Sequence, residues 1–380
     1  MGLHVLVLAG GAGTRLWPLS RQAKPKHLLP LGPRGTTLLR ATLERIAGIG
    51  DDVHVVTTAA QAPECAAELE AAGLPSGNVI AEPVARGTGP ALGLATTWLA
   101  RQDPNGLIAS VHADSEVGDD AAYRGAVVAS AGWARSRNGL ATVGLTPPYA
   151  STGMGYIEIG SANDAAAWIA PRPALAGELG DSARGLPAFQ AVRFAEKPSA
   201  ATAEHFVAGG RHLWNLGLFA WPAVTFLAEL TAADPILTSA LEDVVAARVA
   251  GDEERATQVY VDQAAIAVEP LVFERTANLT VVKASFPWSD LGSWADLHDV
   301  RASAGTADPS GNVIDGDALV LDTSGTTVVS RAGRLAAVIG ADDIVVVDTP
   351  DALLVVPRAQ SQRVKELVDR LRATRRTDVL

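Results

Sequence analysis

The period of apolar positions changes repeatedly along this chain. Residues 4–10, HVLVLAG, are an apolar run closed by glycine, the pattern of a strand buried on both faces. Residues 37–49, TLLRATLERIAGI, switch to helical spacing, and 52–58, DVHVVTT, return to a strand. The exchange continues with a helix at 61–73 closed by Gly73, a strand at 78–83, a helix at 89–102 and a strand at 106–114. Strand and helix in alternation predict an α/β fold with a parallel sheet and helices on both faces. Beyond residue 150 the order loosens. GYIEIG (155–160), FQAVRFAEKP (189–198) and WNLGLFAW (214–221) read as strands, helices fill 222–263, and NLTVVKASF (278–286) is a further strand. The stretch 171–187, PRPALAGELGDSARGLP, is rich in proline and glycine and reads as a loop.

The texture changes after a boundary placed at 303–311. From 311 to 357, short apolar strands are punctuated by Gly, Asp and Ser-Gly, which predicts stacked β-turns of a short solenoid or β-helix. The spacing is too irregular for a strict repeat. Residues 361–376, SQRVKELVDRLRATRR, have apolar positions at helical spacing and a basic end that suits the helix dipole. The chain therefore divides into 1–303 and 304–380, the second part closed by a terminal helix.

Composition narrows the function classes. The chain has 380 residues, 48% of them hydrophobic, enough for more than one domain. Charged residues make up only 19% and the net charge is -11, which argues against a nucleic-acid partner or an anionic membrane surface. An anionic ligand must then be held by a few local cations. The single cysteine, Cys65, excludes a disulfide framework and a cysteine metal site, and reads as a small hydrophobe. The start of the chain lacks a basic n-region, and its apolar run ends in Gly10-Gly11 and Arg15 rather than a cleavage site. Met1-Gly2 resembles a myristoylation start, but Leu6 stands where Ser or Thr is required. No apolar stretch is long enough to span a bilayer, and a soluble cytoplasmic protein is expected.

The candidate chemistry begins at LAGGAGTRLWPLSR, residues 8–21. Strand-then-glycine loops bind phosphates because bare backbone N–H groups can approach the oxygens. The Walker pattern is absent, and a Rossmann fingerprint would need glycine where Leu16 stands. That leaves a phosphate cradle of another kind, with Arg15 as a planar cation, or a tight turn without a ligand. KPKHLLPL (24–31) follows, where Lys24 and Lys26 straddle Pro25 and would suit a triphosphate. Asp114 ends an apolar strand, the place where open parallel sheets put ligands.

Together these stretches resemble the signature of the sugar-1-phosphate nucleotidylyltransferases. The LWPLSR form is similar to that of the mannose-1-phosphate guanylyltransferases. EPVARGTGPALGLA, VHADSEV, STGMGYIEIG, VRFAEKPS, LWNLGLFAW and FPWSDLGSW resemble later segments of the family, and 311–357 resembles its C-terminal left-handed β-helix. The resemblance implies a Rossmann-like nucleotidyltransferase domain with a mixed, mainly parallel sheet. It implies GTP and mannose 1-phosphate as substrates and Mg²⁺ as cofactor. Separately, exposed edges of the C-terminal strands would favour pairing into a homo-oligomer, read as a dimer. The resemblance gives Arg15, Lys26, Asp114 and Lys197 catalytic roles, with Asp114 and Asp290 as metal ligands. The nucleotide falls to Leu8, Ala9, Gly10, Gly11, Gly13 and Thr14, with Glu82, Arg86, Gly87, Thr88 and Pro90 on the base side. The sugar falls to Gly155, Tyr156, Glu196, Lys197, Asn215 and Gly217. Trp17 is either core or lid.

The sequence also departs from the family pattern. Gly87 stands at a usual Asn, His112 and Ser115 flank Asp114 in place of Pro and His, Leu216 replaces a Ser, and Glu269 a usual Asp. These bear on which base and sugar fit more than on the reaction. Two other readings use the same residues. One is an enzyme for another pair, of the GDP-heptose or glucose 1-phosphate type. The other is a non-catalytic sugar-nucleotide sensor, although such a protein would be expected to have lost some of Arg15, Lys26, Asp114, Lys197 and Asp290, all present here.

Overall fold

Leu3–Ala9 is a strand with all seven residues buried, as its unbroken apolar run requires. It belongs to a computed structural model that describes residues 2–11 and 13–380. Two compact units share the chain. The first holds the chain up to Gly10, Leu43–His112 and Gly118–Pro287; the second holds Gly11–Thr42, Ala113–Val117 and Trp288–Leu380.

The first unit is built on a nine-stranded sheet. Its strands lie in the order Val79–Glu82, Asp52–Thr58, Leu3–Ala9, Leu107–His112, His212–Pro222, Leu140–Leu145, Leu279–Ala284, Ala188–Glu196, Gly155–Ala162. The first four are parallel, following the strand–helix alternation. His212–Pro222 then inserts antiparallel between Leu107–His112 and Leu140–Leu145. Leu279–Ala284 runs parallel to Leu140–Leu145, and the last two strands are antiparallel. The sheet is therefore mixed, with its parallel part concentrated in the first half of the order.

Helices cover the sheet. Asp120–Arg137 starts where the Asp119 carboxylate accepts from Ala122 N at 3.0 Å, and ends at Asn138 with a positive φ of 44°. Thr88–Ala100 buries ten of its thirteen residues, including Leu92, Leu94 and Leu99. The helical region after 222 resolves into Ala223–Ala233, Pro235–Val249 and Glu253–Val261. Cys65 is a buried free thiol, pushed up to about 11 by burial, and behaves as the small hydrophobe expected.

The stretch 171–187 is not an open loop. It forms a short 3₁₀ turn at Pro173–Leu175 and a helix at Glu178–Arg184. Leu175 and Ala183 are buried, and the neighbouring Trp168 donates to Ala129 O at 3.1 Å. A helix of two turns has little stability alone and is held by packing, which proline and glycine content cannot reveal.

The second unit stacks parallel strands. Val313–Asp315, Thr327–Ser330 and Ile344–Asp348 form one ladder, closed by antiparallel Leu353–Pro357. Ala318–Leu321 pairs with Ala336–Ile339 in a second. Val328 pairs with Val346 and Leu319 with Ala337, eighteen residues on in each case, but Val313 pairs with Thr327, only fourteen on. The unequal coils explain why the sequence shows no strict repeat. The terminal helix is Val364–Ala373, shorter than expected because Arg358–Arg363 forms a 3₁₀ turn. The unit's core joins Leu16, Trp17 and Leu29 to Trp294, Val345 and Val364. Trp17 is thus core: it is 6% exposed, and its indole donates to Val379 O at 2.7 Å. No helix among the described residues is long and apolar enough to cross a membrane.

Candidate active site

In the second unit, the glycine-rich turn folds directly over Lys26. Gly13 has φ 60°, and a Cβ there would lie 2.5 Å from Lys26 Cβ and 3.1 Å from Ser20 Oγ. A side chain would have to displace the lysine stem. The chain then turns through Thr14–Leu16 and sinks Leu16 and Trp17 into the core. Arg15, half-buried, reaches Gly292 O at 3.3 Å and Gln362 Oε1 at 3.2 Å.

Pro25 is extended, and a single turn at Lys26–Leu28 follows it. This turn buries Lys26 to 5% exposure. Its ammonium donates to Asp290 O at 2.6 Å and pairs with Asp114 Oδ2 at 2.8 Å. His27 beside it is 1% exposed. Burial pushes its imidazole down to about 4; Asp114 opposes that shift and Lys26 adds to it. His27 therefore stays neutral at physiological pH and adds no charge beneath the lysine.

Asp290 sits between the short strand Trp288–Ser289 and the helix Trp294–Ser303, which Ser293 caps through Asp296 N. Leu291 is fully buried yet has φ 43°, a conformation costing of order 1–3 kcal/mol in a non-glycine residue. Its side chain anchors the bend. Gly292 N donates to Asp290 Oδ1 at 3.2 Å, and a Cβ at Gly292 would lie 2.7 Å from Asp290 Oδ2 and 3.1 Å from Arg15 Nη1.

The result is a cavity of about 260 Å³ lined by Gly13, Thr14, Arg15, Lys26, Asp114 and Asp290, with Leu291 and Gly292 at its edge. It sets two cations and two carboxylates side by side. Burying the Lys26 ammonium against a partly exposed carboxylate stabilises a fold less than apolar packing would, so its presence points to chemistry.

Of the remaining expected residues, Gly11 belongs to the second unit and the others to the first. Leu8 and Ala9 are buried strand residues. Above Gly10 and above Gly11 a Cβ would meet nothing within 4 Å. Glu82 is 4% exposed, and its carboxylate accepts from the Tyr260 hydroxyl and from the Arg86 backbone N–H. Burial pushes this carboxyl up to about 7, against the pull of those bonds and of Arg248. Arg86 donates its guanidinium to Val261 O, and Thr88 Oγ1 accepts from Val268 N at 2.9 Å. Gly87 has φ 81°, and a Cβ there would lie 2.5 Å from Ile266 O. That close backbone approach, with the positive φ, leaves no room for a side chain at position 87. Pro90 is buried in the first turn of its helix, where no intrahelical N–H is lost.

Gly155, Glu196 and Asn215 are neighbours across three strands. Gly155 pairs with Glu196, and a Cβ at Gly155 would lie 2.6 Å from Glu196 Oε2 and 3.6 Å from Asn215 Cβ. Asn215 Oδ1 accepts from Gly217 N at 3.1 Å. Gly217, at φ 67°, backs directly onto His112. Lys197, at φ 45°, pairs with the Glu196 carboxylate, and both side chains are mostly exposed. Tyr156 is wholly buried, and its hydroxyl bonds Ser151 N at 2.9 Å and Ser151 O at 3.0 Å.

Sequence reasoning missed four contributors. Leu291 and Gly292 shape the Asp290 bend; their Asp-Leu-Gly order is the signal that could have found them. His27 carries none beyond its place between Lys26 and an apolar pair. Tyr260, the partner of Glu82, lies 178 positions away and carries none.

The Nucleotidyl transferase family model matches residues 4–306, and that of the MannoseP isomerase/GMP-like beta-helix domain matches 316–371. The chain is 34% identical to the mannose-1-phosphate guanylyltransferase of Escherichia coli (strain K12), over 98% of its own length and 74% of that protein. It is 33% identical to the xanthan biosynthesis protein XanB of Xanthomonas campestris pv. campestris (strain B100), over the same shares. A solved mannose-1-phosphate geranyltransferase from Thermus thermophilus superposes with a TM-score of 0.78 at 30% identity, covering 98% of this chain and 100% of that one. Every residue that lines the cavity falls within the matched 4–306, and the chain belongs to the nucleotidyl transferase family.

Proposed function

We propose that this chain transfers GMP from GTP to α-D-mannose 1-phosphate, giving GDP-mannose and pyrophosphate. The Escherichia coli relative is named for guanylyl transfer to mannose 1-phosphate. The observation that carries the reading here is Lys26: a nearly buried ammonium held between the Asp114 carboxylate and the Asp290 carbonyl, in a cavity shared with Arg15.

The chemistry needs such a place. Two like unit charges 4 Å apart repel by about 4 kcal/mol at an effective dielectric near 20. Joining a sugar phosphate to a triphosphate brings several such pairs together. An oxygen of mannose 1-phosphate attacks the α-phosphorus in line. The new P–O bond forms as the bond to the β-phosphate oxygen breaks, and pyrophosphate leaves with that electron pair. No protein nucleophile takes part, so catalysis is positioning and charge stabilisation.

Arg15 and Lys26 would hold the β- and γ-phosphates and stabilise departing pyrophosphate. The bare backbone of the glycine turn would let phosphate oxygens approach. Asp114 and Asp290 line the same cavity with hard oxygen donors, in the number Mg²⁺ takes from a protein, so these residues fit that ion. Bound there, Mg²⁺ would supply positive charge against the phosphate oxygens. Glu196 and Asn215 would bond sugar hydroxyls, Gly155 would keep the approach to them open, and Lys197 would meet the sugar phosphate. Arg86, Gly87 and Thr88 would present backbone groups to guanine.

Along the chain, 1–303 would be the catalytic domain and 304–380 the left-handed β-helix-like domain. We place the enzyme in the cytoplasm and read it as a homodimer. The exposed Leu319, Leu321 and Ile339 of the parallel pair support self-association. Light scattering over a range of concentrations tests this, and a strict monomer removes it. For the activity, pyrophosphate release is measured with GTP and mannose 1-phosphate in Mg²⁺, against a panel of other nucleotides and sugar 1-phosphates. A faster second pair overturns the assignment, and unchanged turnover in Asp114→Ala overturns the site.

A further inference from the structure

A second group of chemistry-bearing side chains gathers at the N-terminal ends of the first two strands. The parallel register sets His4 beside Asp52 and Leu6 beside His54. Because side chains alternate along a strand, Asp52 and His54 share a face, and the register puts His4 on it too. His4 Nδ1 lies 2.8 Å from Asp52 Oδ1, and His54 Nε2 lies 3.3 Å from Asp52 Oδ2. One ligand atom of each residue falls within 4.8 Å of the others.

Other observations give this group direction. His4 is only 9% exposed, and its ring is confined: a Cβ at Gly106 would lie 2.9 Å from both Cδ2 and Nε2. Behind it, Nε2 lies 3.6 Å from Asp103 Oδ2, and that oxygen is fixed by Gly2 N at 2.7 Å. The Nε2 atoms of His4 and His54 are buried without a well-formed hydrogen bond among the described residues. Two protonated rings sharing the Asp52 carboxylate would press like charges together. Two neutral rings leave nitrogens unsatisfied. A cation held by His4 Nδ1, His54 Nε2 and the Asp52 carboxylate would satisfy all three, and would leave the His4 Nε2–H to face Asp103. A carboxylate behind a ligating imidazole is also the arrangement that orients metal-bound histidines.

We propose that His4, Asp52 and His54 bind a divalent transition ion of the zinc class, with Asp103 as the positioning residue behind His4. Two imidazole nitrogens and one carboxylate favour zinc over magnesium and leave one position for water. The ion would tie the starts of two parallel strands together, and none of its ligands lines the cavity that holds Lys26.

The test is calorimetric titration of the whole chain with Zn²⁺, in excess Mg²⁺ so that oxygen-only sites are filled. Cobalt(II) absorption reports imidazole ligation in parallel. The expected result is one Zn²⁺ per chain, with the site lost in Asp52→Asn and His54→Gln and weakened about 10–100-fold in Asp103→Asn. Zn²⁺ should also raise the thermal midpoint of the wild type but not of His54→Gln, while turnover in Mg²⁺ stays the same in that variant. If wild type binds no Zn²⁺, or if His54→Gln and Asp103→Asn bind it as wild type does, the proposal is wrong. Circular dichroism of each variant separates loss of the site from loss of the fold.

Discussion

Glu82 offers a measurable consequence of burial. It is 4% exposed, hydrogen-bonded by Tyr260 and Arg86, and raised by burial from its ordinary 4.5 to about 7. At about 1.4 kcal/mol per tenfold change in proton affinity, the ionised carboxylate costs the fold about 3 kcal/mol. The folded value lies above the unfolded one, so the stability tied to this proton is fully present below about pH 4.5 and is lost as pH rises through about 7. Glu82→Gln removes the titration and keeps an oxygen for the Tyr260 hydroxyl. Urea denaturation should show variant and wild type nearly equal at about pH 5 and the variant more stable by about 2–3 kcal/mol at about pH 8. With a slope near 3 kcal/mol per molar, that is a midpoint shift of about 1 M. Because the carboxylate is spent on interior partners, the KM for GTP should move far less than the stability does. Parallel pH profiles for the two proteins would refute the reasoning, because the proton would then not be held by this group.

Lys26→Met keeps the buried stem and removes the ammonium; turnover should fall about 10²–10³-fold, as for loss of a preorganised charge-stabilising donor. A wild-type rate would show that the ammonium does not stabilise the reacting phosphates. Asp290→Asn keeps the shape and the hydrogen bond from Gly292 N but drops a charge. The Mg²⁺ concentration needed for half-maximal turnover should rise at least about tenfold, the lower end of what loss of a supporting ligand contact costs; an unchanged requirement removes Asp290 from the metal. Gly13→Ala puts a Cβ 2.5 Å from Lys26 Cβ at a φ of 60°. The backbone alone should cost about 1–2 kcal/mol by denaturation, with a larger proportional loss of turnover because the lysine must shift. Equal activity and stability would show that the turn relaxes freely.

The first half of the sheet was legible because buried parallel strands are continuous apolar runs, and Leu3–Ala9 and Leu107–His112 could hardly be anything else. In the second half the strands at 155–160, 189–198, 214–221 and 278–286 were legible one by one, but Leu140–Leu145 and the order of the strands in the sheet were not. Ala188–Glu196 is half-exposed and carries a mixed pattern, while His212–Pro222 slots between strands that precede it in the chain. Nothing local encodes that insertion. The helix Glu178–Arg184 was hidden for a related reason: Leu175 and Ala183 gain their stability from tertiary packing, and a count of Pro and Gly cannot register it. Leu16, Trp17, Leu29 and Leu31 were legible as apolar but not as partners of Trp294 and Val345, more than 250 positions on, because hydrophobicity is not directional.

The candidate site was legible in a different way. Arg15, Lys26, Asp114 and Asp290 could be named from motif chemistry, and the structure gathers all four on one cavity. What the sequence could not express is the strain around them. Lys26 gives up nearly all its water, Leu291 takes a left-handed backbone while wholly buried, and Gly13 and Gly292 stand where any side chain would strike Lys26, Asp290 or Arg15. Each feature costs stability, and folding alone requires none of them. Found singly, each would pass as an accident of packing. Found around one cavity, in a chain with few charges to spare, they point to selection for a job other than holding the fold. The residues that a stability-minded designer would remove first are therefore those whose loss should silence the enzyme.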